Sequence, residues 1–302
     1  MMKAGEFFSV AKQSFKEWGE DRAPNEAAAL AYYAMISVPA LLLLIQWLLG
    51  QVVSDQVQEQ VLDFVQQSVR GGGSEAITTI IEGADRPGSG GGIAAVASLA
   101  TLALSATGVV GNLEQALNRM WEIAEGDVGI VDKIKKRLSS LLMVLLLGVF
   151  LVLSVMASTA ISGFAETLTE ILPVPAWVLQ VVNVLLSFLL LTLLFGATMK
   201  FLPDAQVAWR DVWLGAGVTA VLFVVGQFVL GLYLGRSAPG SAYGVAGSVV
   251  ALLVWIFYSA LILFLGAEFT QVYANRFGSG IRPNESAITL NEKMRRQAED
   301  GV

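Results

Sequence analysis

The sequence predicts an all-α, polytopic membrane protein. It reads as a helical bundle of six transmembrane helices, with an amphipathic N-terminal helix and a long outer, periplasmic loop between helices 1 and 2. Three observations carry this. Of 302 residues, 55% are hydrophobic and only 15% charged, against roughly a quarter charged in an average soluble domain; mean hydropathy is +0.65. The apolar stretches recur at the roughly 20 residues a helix needs to cross a bilayer. Finally, the basic residues fall on alternate sides of those stretches.

Residues 1–26 form an N-terminal segment ahead of the first span. Phe7, Ala11, Phe15 and Trp18 recur there at helical spacing opposite Lys12, Lys16 and Glu20, which predicts a helix at the membrane interface or packed on the bundle. These residues contain no uninterrupted hydrophobic core of the signal-peptide kind, so helix 1 is expected to act as its own anchor. The transmembrane domain covers 27–275, with spans at about 27–49, 92–110, 138–161, 176–200, 212–234 and 247–273. Pro24 and Asn25 mark the start of the first span, and Pro39 is expected to interrupt it after Ser37. The second span is rich in Ala, Gly, Ser and Thr, which suit close helix packing in lipid. Spans three and four form a hairpin around Pro173 and Pro175, and spans five and six flank a loop holding Pro239 and Gly240. Residues 276–302 read as a polar tail.

Between spans one and two, residues 51–91 place Val57, Val61, Phe64, Val65 and Val69 at helical spacing before glycine runs at 71–73 and 88–92. This predicts a cap on the outer surface, static or acting as a lid. After span two, Leu113, Ala116, Leu117, Met120 and Trp121 line one side of a short helix with Glu114 and Arg119 elsewhere on it. A basic run, Lys133 to Arg137, precedes span three.

An even number of spans puts both termini on one side. With that side cytoplasmic, all of the 19 basic residues except Arg70, Arg86 and Arg236 fall inside, so cytoplasmic termini are expected. Anionic lipid headgroups are the expected partners of the cytoplasmic face.

The composition excludes much chemistry. With no Cys and no His, disulfides, the usual zinc sites and thiol or imidazole catalysis have no residues to work with. A net charge of −6 supplies no basic surface for nucleic acid. No phosphate-binding loop or nucleophile elbow is present. No enzyme activity, catalytic residue, metal ligand or cofactor is therefore expected.

Intramembrane ionisable residues are costly and so are functional candidates. Glu268 is the clearest, about 31 Å along the last span at 1.5 Å per residue, near its cytoplasmic end. It is expected either to pair with Arg119, Arg22 or Arg276 or to carry a cation or proton. Glu26 opens helix 1, where a carboxylate complements the helix dipole. Glu26, Glu114 and Glu268 would form a cation or proton site if they met at the cytoplasmic end. Gln46, Asn183 and Gln227 lie inside spans one, four and five, as interhelical hydrogen-bonding groups or a polar path. Tyr32 and Tyr258 are candidates to line a cavity; Trp18, Trp121, Trp177, Trp209 and Trp213 fit packing or an aromatic belt.

Four motifs accumulate: AAALAYYAMIS at 27–37, ALNRMW at 116–121, LPD with WRD and GA between 202 and 216, and YGVAGSVVALLVWIFYSALILFLGAEFT at 243–270. They resemble the YihY/BrkB family of bacterial inner-membrane proteins over roughly residues 5–280. The resemblance implies a bacterial inner (plasma) membrane location, six helices and cytoplasmic termini. It marks Tyr32, Asn118, Trp121, Pro203, Tyr243, Gly244, Gly247, Trp255, Tyr258, Gly266 and Glu268 as motif positions whose roles it leaves open. The family has carried both a ribonuclease and a virulence-factor label, and the ribonuclease label fits poorly a chain with no metal-site residues and no basic groove. The expected function is a transporter-like or lipid-interacting membrane protein handling a small amphiphile. A non-transporting envelope scaffold is the alternative and a membrane ribonuclease comes last. A homo-oligomer stays open, since the small-residue spacings define no interface.

Overall fold

A computed structural model describes residues 3–52, 108–126, 129, 176–237, 245–285 and 287–300, with side chains left out at 4, 38–52, 176, 177, 179, 180, 183, 233–237, 245–248 and 300. Its helices are α1 (Ala4–Glu20), α2 (Ala23–Val52), α3 (108–120), α4 (Ala176–Phe201), α5 (Trp209–Ser237), α6 (Val245–Phe277) and α7 (Leu290–Asp300). Four short strands accompany them: β1 (Ile123–Glu125), β2 (Ala205–Gln206), β3 (Arg282–Pro283) and β4 (Ala287–Thr289). The architecture is thus mainly helical, and the strands depart from the all-α expectation.

Among the described residues three helices are long and apolar enough to cross a membrane, over Val184–Phe201, Trp209–Leu232 and Val249–Phe277. They match the expected fourth, fifth and sixth spans, with helix ends within a few residues of those expected. Their apolar side chains face outward: Val184, Leu185 and Leu189 on α4, and Val221, Val225, Phe228 and Val229 on α5, are all exposed. An apolar belt this large is stable in hydrocarbon and not in water. α6 lies at the centre, packed along α2, α5 and α1, while α4 packs on α5.

The expected first span corresponds to α2, which begins at Ala23 so that Pro24 sits in its first turn. Contrary to expectation, the helix runs unbroken through Pro39. A proline removes one hydrogen bond, a loss that helices in a membrane bundle tolerate. The last turns of the expected second span are also different, because α3 continues helical from residue 108 through Gly111 to 120 without a break at 110. The rest of that span, the outer cap at 51–91 beyond Val52, the basic run 133–137 and the third span lie outside the described residues.

Helix α1 caps its own start, where the Lys3 backbone N–H donates to the Glu6 carboxylate at 2.7 Å. Three of the four residues of the expected apolar face, Phe7, Ala11 and Trp18, meet the bundle, while Phe15 points outward and Val10 and Ser14 are the most deeply buried. Val10 is buried against Phe269, Val272 and Tyr273 of α6, and Ser14 is buried with its hydroxyl on the Val10 carbonyl, whereas Phe8, like Phe15, points outward. Phe7 reaches Phe269 with ring centroids 5.5 Å apart, and the Trp18 indole donates to the Leu261 carbonyl at 3.2 Å.

The segment expected as a polar tail folds back on the bundle. β4 pairs antiparallel with β1, Ile123 opposite Thr289 and Glu125 opposite Ala287. β3 pairs antiparallel with β2, Ala205 opposite Pro283. Thr289 accepts the Glu292 N–H and so caps α7.

Candidate functional site

The polar end of the bundle is built where α1, α3, the chain after it and the end of α6 converge. Two tight turns shape it. Asp21 closes α1, and Arg22 takes a left-handed φ of 55° to swing the chain into α2; Glu122 takes φ 54° to swing from α3 into β1. Non-glycine residues rarely hold that conformation, and both examples among the described residues border one cleft. The cleft, about 490 Å³, is lined by Gln13, Glu17, Glu20, Asp21, Glu122, Gln271, Val272, Asn275 and Arg276. Four of these are carboxylates. The one basic residue of the lining, Arg276, donates to Ser9 Oγ at 2.9 Å and lies over the Phe277 ring.

Beneath the cleft lies Glu268, fully buried at 0% exposure. Its carboxyl lies within hydrogen-bonding reach of that of Asp21. The Gln271 amide, oriented to suit its neighbours, donates to the Met120 carbonyl at 2.8 Å and to Glu268 Oε2 at 3.1 Å. Among the described residues no donor reaches Glu268 Oε1. Burial pushes the Asp21 carboxyl above the ordinary carboxylate range; its contact with Glu268 opposes the shift, and Glu122, Glu17 and Glu20 reinforce it.

Two of the three expected partners of Glu268 are engaged elsewhere. Arg119 pairs with Glu26 at 2.8 Å, tying α3 to the start of α2, and Arg276 serves Ser9. Glu26 therefore belongs to an ion pair at the α2–α3 contact. Glu114, expected away from the packed side of its helix, is buried at 6% beside Ala116, Leu117 and Met120. Among the described residues no three carboxylates stand close enough together to hold a metal ion.

The motif positions explain how the site is held. Asn118 Nδ2 donates to Asp204 Oδ2 at 2.8 Å, and the Asp204 N–H donates back to Asn118 Oδ1 at 2.8 Å. This clasp joins ALNRMW to LPD, with Pro203 buried beside it. The Trp121 indole donates to the Ala267 carbonyl at 3.0 Å, one residue from Glu268, which fixes α3 against α6. Gly266 lets Thr219 of α5 approach so closely that a Cβ there would stand 1.8 Å from its Oγ1. Gly215 of α5 receives Thr270 of α6 in the same way. Lower on this seam, the Tyr258 hydroxyl fills the space over Gly226, and Trp255 meets Phe223 edge-on.

Tyr32 is 60% exposed on the outer side of α2, edge-on to Tyr33. Gln227 is half-buried on α5, and Gly247 lies in the first turn of α6. Tyr243, Gly244 and the side chains of Asn183 and Gln46 lie outside the described residues. Asp21, Glu17, Glu20 and Glu122, the residues that surround Glu268, were not singled out by the sequence. Their only signal was acidic density flanking the motifs at 20–26 and 114–125, and charge next to a span reads by default as solvated surface.

The fold and this polar end define an integral membrane protein built of packed apolar helices. The virulence factor BrkB family profile matches residues 14–289, and the chain belongs to that family. A "UPF0761 membrane protein" of Halorhodospira halophila is 24% identical over 280 residues, 90% of this chain and 59% of that one. Its counterpart in Delftia acidovorans is 24% identical over 74% of this chain and 48% of its own. One from Tolumonas auensis is 32% identical over 119 residues, 39% of this chain and 38% of its own. The chain thus spans about half the length of the first two relatives. No solved structure matches.

Proposed function

We propose that this chain is a transporter-like, non-enzymatic membrane protein whose acidic cleft receives the cationic head of a small amphiphile. The observation that supports this reading most is Glu268, buried without exposure and with a carboxylate oxygen that no donor among the described residues reaches, set behind a cleft whose lining holds four carboxylates and a single arginine. An acidic, partly desolvated cleft raises the local concentration of cations, and a buried carboxylate at its base discriminates charge more strongly than one in water. The charge asymmetry of the sequence supports a cytoplasmic position for this end, and the family supports the bacterial inner membrane as its location. Uptake of tetraphenylphosphonium into proteoliposomes tests the reading. Saturable uptake that falls at least tenfold in Glu268→Gln supports it; uptake equal to that of protein-free liposomes, with no movement of fluorescent lipids either, overturns it.

Lipid contact is supported separately by α1. Phe8 and Phe15 are 73% and 62% exposed on a helix that also exposes Lys12 and Lys16, the pattern of a helix seated among anionic headgroups.

A further inference from the structure

We propose that Asp21 and Glu268 bind one proton between them, exchanged with water through the acidic cleft, so that the pair is a proton site at the end of the bundle. The two carboxyls lie within hydrogen-bonding reach of each other, and Gln271, which lines the cleft together with Asp21, also reaches Glu268 Oε2. An ionised carboxyl is an acceptor only, so two ionised carboxylates in contact would set like charges against each other with no hydrogen between them. Like charges at such distance do not both persist away from water. Glu268 is fully buried, and among the described residues no donor reaches its Oε1 while Oε2 takes the Gln271 amide. A proton held between the carboxyls puts a hydrogen between two groups that otherwise only accept, and removes one charge.

Most of the surroundings favour the proton, with Arg22 and the start of α2 at Ala23, both close to Asp21 in the chain, acting against it. Glu17 and Glu20 face the pair from α1, and Glu122 from the turn after α3. Asp21 also stands at the carbonyl end of α1, where the helix dipole disfavours an added anion. From α6 come the neutral Gln271 and Asn275 and the cation Arg276, which is turned to Ser9. The Arg119 and Glu26 charges offset each other at the α2–α3 contact. The two carboxyls differ in access: Glu268 is sealed by packing, while Asp21 lines the cleft. A proton therefore has an inner seat and an outer one, the arrangement a proton relay requires.

This deepens the carrier reading by naming a coupling ion and rests on that reading for its biological meaning. The test runs on substrate-free full-length protein, so a failure of the pair and a failure of transport are separate results. Infrared spectra in detergent, recorded across a pH titration in H₂O and D₂O, read protonated carboxyls directly. The expected result is a deuterium-sensitive carboxylic-acid band in the folded protein near neutral pH. It should be lost in Glu268→Gln and shifted to higher frequency in Asp21→Asn, where the acid no longer donates to a carboxylate. Absence of the band in wild type, or an unchanged band in a Glu268→Gln protein of native helicity, overturns the proposal. Should Glu268→Gln fail to fold, Asp21→Asn decides alone, because a band it leaves unmoved overturns the pair.

Discussion

At the scale of single residues, Asp21 gives the protein a pH signature. Burial holds its carboxyl above the ordinary range, so the folded state binds this proton more tightly than the unfolded chain does. The cost of ionising it is absent below the ordinary carboxylate range and fully developed once pH exceeds the raised value. Melting of the purified protein between about pH 4 and 8 is expected to show Tm falling as pH rises, with a flatter profile in Asp21→Asn. A profile identical in the two proteins contradicts this. Asn118 makes a second prediction at this scale. It is buried at 7% and both donates to and accepts from Asp204, so Asn118→Ala is expected to cost about 1–3 kcal/mol, read as a lower Tm.

At the scale of elements, α5 and α6 meet through two reciprocal notches, Gly266 under Thr219 and Gly215 under Thr270. In lipid, helices gain little from burying apolar surface and depend on this kind of close approach. Gly266→Ala is expected to cost about 1–3 kcal/mol through overpacking, and the double variant Gly266→Ala with Thr219→Gly should recover most of it. A double-mutant cycle on Tm tests the coupling; additive losses would show that the two sites do not share a contact. The last three expected spans were legible because an unbroken apolar run at membrane length admits few other readings. Pro39 misled because proline is read by its effect on an isolated helix, whereas here the helix is supported by its neighbours. The inward face of α1 was legible at Phe7, Ala11 and Trp18, which meet the bundle, but not at Ser14, whose hydroxyl donates to the Val10 carbonyl of its own helix and so is buried without an apolar signal.

At the scale of the whole molecule, α1, the turn after α3 and the C-terminal ladder gather at one end of the bundle. The protein has no cysteine, so single introduced cysteines report sidedness without background. Lys12→Cys and Lys293→Cys are expected to react with a membrane-impermeant maleimide only after the inner membrane is opened; labelling of either in intact spheroplasts would reverse the assigned orientation. Glu268 was legible in the sequence because a carboxylate in an apolar span stands alone. Its companions were not, because Asp21 and Glu122 reach it from turns about 100 residues apart, and a contact between distant segments leaves no periodicity to read. Trp121 and Asn118 were visible as motif positions, but that they clasp α3 to Ala267 and Asp204 is a property of the folded bundle alone.

The ladder between β1 and β4 also orders events in time. The wall of the cleft at Glu122 is secured when the Leu290 N–H reaches its carbonyl at 2.8 Å and when Ala287 to Thr289 align beside Ile123 to Glu125. A ribosome makes β1 long before β4, with α4, α5 and α6 emerging in between. The nascent chain must therefore thread those helices into the bilayer while the first half of the cleft waits unfinished. Closure comes only after α6 has delivered Glu268 to Asp21, so a protein stalled midway through insertion has no acidic cleft to display.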